Sequence, residues 1–218
     1  MNYLAPGITS DKYDPSQSLD VFYGRTVGWI LEPAKKLLEL PDTGIPVLML
    51  AASVIQPMGG VQKRGNNKRE FCEGFRYIFP KVPGDSESGS VAEEACELLR
   101  NGLYHEAFIK PGLFIRDQND PVVRESGILY VDPKKFLTVV TEAFTRLCEE
   151  IKHDGTKRKT FEEYLAVKDD EVASKRKAPI DPGVYKDIAL TTGSNHSAAT
   201  AIPPTSPGRL PPFRTKPK

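Results

Sequence analysis

Two residue types that usually announce chemistry are scarce in this 218-residue chain. It has three cysteines, Cys72, Cys96 and Cys148, at wide spacing and without a CxxC pair. An odd, scattered set makes a poor disulfide framework, and each cysteine falls in a helix-like segment. The reading is three small buried apolar residues in a reducing compartment. There are also only three histidines, His105, His153 and His196, which argues against a Cys/His metal site. Carboxylates do not cluster either, so neither a metal nor another cofactor is expected. The longest apolar run, Ile45 to Ile55, is about half a membrane span. The first twenty residues have no basic start followed by an apolar stretch, as a secretory signal would. The expectation is a soluble, cytoplasmic protein with no membrane partner.

Net charge names no partner, because it is only +1 over the whole chain. Its distribution is more informative. From Val172 onward there are eight basic residues and two acids, a net of +6 against −5 for residues 1–171. That segment also holds eight prolines among Ser, Thr and Ala. Such a composition buries too little apolar surface to offset ordering entropy, so 172–218 is read as a disordered, basic, Pro-rich tail. Its Pro203-Pro204-Thr205-Ser206-Pro207 and Pro211-Pro212-Phe213-Arg214 runs suit a solvated linker or an aromatic groove. Residues 1–21 mix Pro, Ser and Asp and are read as an irregular leader.

Between them lies a helical body. A helix is expected from about Gly24 to Leu40, interrupted near Pro33, with a stop at Pro41-Asp42-Thr43-Gly44. The run from Ile45 to Ile55 is apolar all round, as in a buried helix, with a strand as the alternative; Gly59-Gly60 is read as closing it. Phe71, Phe75, Ile78 and Phe79 form an amphipathic stripe on a helix from about Lys68 to Phe79. Ser90 and Glu93 have capping-box spacing before Val91, Ala95, Leu98 and Leu99. Two apolar runs, Phe108–Ile115 and Gly127–Val131, suggest a β-hairpin. Asp132-Pro133 reads as N-cap and first helical residue. The helix that follows carries Phe136, Val139, Val140, Ala143, Phe144, Leu147 and Ile151. Lys152 and His153 suit its C-terminal dipole, and Gly155 is read as its end. A short charged helix is expected around 160–165.

The chemistry is expected on Arg100-Asn101-Gly102-Leu103-Tyr104-His105. On an α-helix Asn101 and His105 share a face, and Arg100 lies about 100° round. Arg offers a permanent planar fork for phosphate oxygens, His exchanges a proton near neutral pH, and Asn orients either without adding charge. The three suit metal-independent RNA cleavage, in which the ribose 2′-hydroxyl attacks the adjacent phosphorus. Tyr104 suits base stacking, or equally a place in the core. The plainer alternative is an Arg100 paired with Glu94 or Glu97, and a His that caps the helix.

The segment from Glu94 to Glu106 resembles the signature of the HEPN superfamily: an Arg, a polar residue, a short spacer and a His ending a core helix. The likeness extends as a pattern over about residues 22–153. It implies a HEPN-like helical bundle over 22–171, with the small hairpin and the disordered tail appended. It also implies a homodimer whose two Arg/His sets meet in one RNA-cleaving site, as in toxin–antitoxin, phage-defence and RNA-processing systems. Arg100 would then bind and stabilise the phosphate, Asn101 would position, and His105 would transfer protons. An antitoxin or regulatory partner follows from the same likeness. Members silenced by adenylylation carry a Tyr two residues after the His; here Ala107 stands there, which speaks against that control. Other members are inactive, and the alternative is a HEPN-like accessory protein that binds nucleic acid or protein. A helical protein unrelated to the superfamily, with a coincidental motif, is the third reading.

Overall fold

The computed structural model describes residues 3–6, 8–9, 14–83, 91–103 and 110–176. The chain divides into two units, Met1–Val172 and Ala173–Lys218. The first is mainly helical with a small sheet. Its leader is not irregular: β1 (Tyr3–Ala5) pairs antiparallel with β2 (Ile8–Thr9). The first helix starts earlier than expected, as α1 (Ser18–Thr26). A π-helical turn, Val27–Leu31, joins it to α2 (Glu32–Leu37). Pro33 therefore does not break the helix. It sits in the first turn of α2, directly after a turn already widened by the Glu32 N–H bond to the Val27 carbonyl.

The core is organised by α3 (Gly44–Gln62). This is a helix, not a strand, and it runs past Pro57 and through Gly59-Gly60 instead of ending there. The two glycines serve packing. A Cβ on Gly59 would lie 1.7 Å from the Glu70 carbonyl oxygen, and one on Gly74 would lie 2.0 Å from that of Ile55. Both Gly74 and Glu70 belong to α4 (Asn67–Ile78), so α3 and α4 cross almost backbone to backbone. A Cβ on Gly60 would meet the Tyr164 ring at 2.3 Å. By length and composition α3 is the one helix among the described residues able to cross a membrane, yet 56% of its apolar window is buried in the protein. It behaves as a core helix.

Side-chain caps open both α4 and α6 (Pro133–His153), the second as expected. Asn66 accepts the Arg69 N–H at 2.9 Å, and Asp132 accepts the Lys135 N–H at 3.0 Å, with Pro133 opening the helix. Phe71, Phe75, Phe136, Phe144 and Leu147, carried by these two helices, are fully buried in the common core. As expected, α6 stops just before Gly155, at His153, with extended backbone at Asp154; Gly155 itself has a second use. It opens α7 (Gly155–Arg176), whose first turn is capped by Asp154 through the Thr156 N–H. The short charged helix is thus 22 residues long and takes in the first residues of the proposed tail. Residues 177–218, where disorder was expected, lie outside the described residues.

The two apolar runs do pair, but not as a hairpin. Here β3 (Leu113–Ile115) lies parallel to β5 (Ile128–Val131). The hairpin is formed by β4 (Val122–Glu125) and β5, in the order β3-β5-β4. Its two-residue turn has positive φ at Ser126 and Gly127, 50° and 77°, which matches the twist of the strands. Only two apolar residues, Val122 and Val123, mark β4, so its alternation is too short to read from sequence.

Candidate functional site

The expected motif begins after α5 (Val91–Ala95), on a π-helical stretch, Cys96–Leu103. The helix is therefore not α-helical where Arg100 and Asn101 sit. Such wide turns are rare and occur disproportionately at functional sites. Val91, Ala95, Leu98 and Leu99 face the core as expected, with Ala92 and Cys96 beside them. Ser90, the proposed cap, lies outside the described residues, as do Tyr104 and His105.

Arg100 is half-buried and its guanidinium is held at two points. Its Nε donates to Gln56 Oε1 at 3.0 Å, and its Nη1 donates to Asn101 Oδ1 at 2.9 Å. Both acceptors are neutral carboxamides. Neither carboxylate of the plainer reading takes the fork: Glu94 pairs with Arg124 Nε at 2.9 Å, and Glu97 Oε2 accepts from Asn101 Nδ2 at 3.0 Å. Arg100 and Asn101 are thus brought together, with Asn101 orienting the arginine. The remaining N–H groups of the fork have no partner among the described residues.

Gln56 and Glu70 are the members that sequence reasoning missed. Gln56 lies on α3 one turn before Gly59-Gly60. Because the helices cross so closely there, its Nε2 reaches Asn67 Oδ1 at 2.9 Å and Glu70 Oε2 at 3.4 Å on α4. Glu70 is 3% exposed, an uncommon place for a carboxylate, and Lys168 Nζ on α7 stands 3.7 Å from it. One signal for this was available. Glu70 precedes Gly74 by four residues, so it shares the α4 face that meets α3. The outer end of the network opens on a groove lined by Arg64, Gly65, Glu70, Tyr164, Val167 and Lys168.

Other titratable groups do not compete as nucleophiles. All three cysteines are free and buried. Burial pushes the Cys96 thiol up to about 11 and the Cys148 thiol up to about 12, and raises Cys72 as well. His153 is exposed at the end of α6, 3.3 Å from Glu149, in keeping with its expected role at that terminus. Among the described residues no three His, Cys, Asp or Glu side chains are grouped as a metal site. No family model, curated protein or solved structure matches the chain.

Proposed function

We propose that this protein is a HEPN-type, metal-independent endoribonuclease, acting as a homodimer with a composite site. The observation that carries the reading is the setting of Arg100. Its fork is fixed by two neutral amide oxygens, so it is oriented without being neutralised. An arginine kept that way suits a dianionic phosphorane, whose extra negative charge develops only in the transition state.

In the proposed reaction the ribose 2′-oxygen attacks the adjacent phosphorus while a base takes its proton. The 5′-oxygen of the next nucleotide leaves and is protonated. The products are a 2′,3′-cyclic phosphate and a free 5′-hydroxyl. Arg100 stabilises the phosphorane oxygens, Asn101 orients Arg100, and His105 transfers protons. DNA is spared because it lacks the attacking hydroxyl. Toxin or phage-defence activity in the cytoplasm, with a regulatory partner, belongs to the same proposal.

The test incubates the full chain with single-stranded RNA in EDTA, beside His105→Ala and Arg100→Ala. Cleavage lost in both variants, with cyclic-phosphate ends in the wild type, supports the proposal. Cleavage that persists in both, or none from the wild type across RNAs and conditions, overturns it. Arg100-dependent RNA binding without cleavage would favour the inactive accessory protein instead.

A further inference from the structure

The polar chain behind Arg100 runs across three helices. From the π-helical stretch, Arg100 reaches Gln56 on α3, which reaches Asn67 and Glu70 on α4, where Lys168 on α7 stands beside Glu70. A second branch runs from Arg100 through Asn101 to Glu97. Each carboxylate stands one amide away from the guanidinium. Placed directly against the fork, either would form an ordinary ion pair and cancel much of its charge.

The Gln56 amide has a determined orientation. Its Oε1 faces a cation, while its Nε2 faces a carboxylate and the Asn67 oxygen. Reversing it would set a donor against a donor on one side and an acceptor against acceptors on the other. The buried Glu70 charge thus fixes the amide, and the amide fixes Arg100. The Gly59/Gly74 crossing brings the two helices close enough for this contact.

We propose that Gln56, backed by the buried Glu70, is a positioning residue that locks the Arg100 guanidinium while leaving its charge available to a phosphate of single-stranded RNA. This rests on the reading of Arg100 as a phosphate-binding group. Asparagine or serine at 56 would be too short to span the gap. Glutamate would reach, but would neutralise the fork.

Two variants of the full chain separate locking from charge. Gln56→Met keeps the size of the side chain and removes the acceptor. The double exchange Q56E/E70Q keeps composition and hydrogen-bonding capacity but moves the carboxylate next to Arg100; Asn67 can turn its own amide to donate. The first readout is the exchange rate of the Arg100 Nε proton by NMR. It is expected to rise about tenfold in Gln56→Met, the loss of one charged hydrogen bond, and to stay protected in the double exchange. An unchanged rate in Gln56→Met overturns the lock.

The second readout is the affinity for a 2′-O-methyl RNA oligonucleotide, which has no attacking hydroxyl, across a salt series. The double exchange is expected to bind about tenfold more weakly, and its log–log salt slope to fall by about 0.7, as for Arg100→Ala. Wild-type slope and affinity in the double exchange overturn the charge argument. If Arg100→Ala binds like the wild type, the phosphate-binding reading itself falls. The proton exchange then still decides whether Gln56 locks Arg100.

Discussion

Two arginines near the same helical segment are held in opposite ways. Arg124, on β4, meets the Glu94 carboxylate at 2.9 Å. Arg100, on the π-helical stretch, meets two carboxamide oxygens, at 3.0 and 2.9 Å, and no carboxylate among the described residues. The first pair ties the small sheet to α5 and uses up both charges. The second arrangement uses hydrogen bonds for orientation and, among the described residues, sets no carboxylate against the cation. The charge of what holds each arginine therefore separates their roles.

The most disruptive way to probe the contrast is at the helix crossing that supports Arg100. Gly74→Ala places a methyl group against the Ile55 carbonyl, where backbone must move. A loss of about 3 kcal/mol or more in denaturant unfolding is expected, together with faster exchange at Arg100. Next in size is the structural arginine. Arg124→Ala leaves Glu94 without its partner and should cost about 1–2 kcal/mol, whereas Arg100→Ala should leave stability within about 1 kcal/mol of wild type. Equal losses would remove the distinction. Asp132→Ala, which touches neither ion pair nor amide contact of the two arginines, serves as a reference: losing the α6 cap should cost about 1 kcal/mol in the same assay.

The smallest effect concerns pH. Burial raises the Cys96 and Cys148 thiols to about 11 and about 12, from an ordinary value of 9.0. For a raised acid the neutral form is the one the fold favours. That contribution is complete below about pH 9 and is lost as pH climbs toward the folded values, because the unfolded chain ionises first. Stability should therefore fall above pH 9, and the fall should be shallower in Cys148→Ala by up to about 1 kcal/mol per pH unit. An identical pH slope in the variant would show that the thiol is not so placed.

What the sequence revealed and what it concealed have a common physical basis. Local rules act over one or two turns, and those were legible: the Asp132-Pro133 cap, the Phe71 to Phe79 stripe, the apolar spacing of α6. The mainly helical character followed from them. The misreadings arose where a residue has two uses. Gly59-Gly60 carries the signature of a helix end but admits α4 and Tyr164 instead; α6 does end just before Gly155, yet that glycine also follows a capping Asp154 into another helix. The parallel pairing of β3 with β5 depends on β4, whose two valines give no periodic signal. Gln56 and Glu70 meet where two glycines fifteen positions apart in sequence, Gly59 and Gly74, bring their helices together, a relation no local pattern encodes.

The most direct test of the account compares cleavage by two arginine variants on one RNA substrate in EDTA. Removing a group that stabilises the phosphorane should slow Arg100→Ala by about 10²–10³-fold, while folded Arg124→Ala should cleave at close to the wild-type rate. Similar slowing in both variants, or none in Arg100→Ala, would contradict the claim that Arg100 is held for a phosphate.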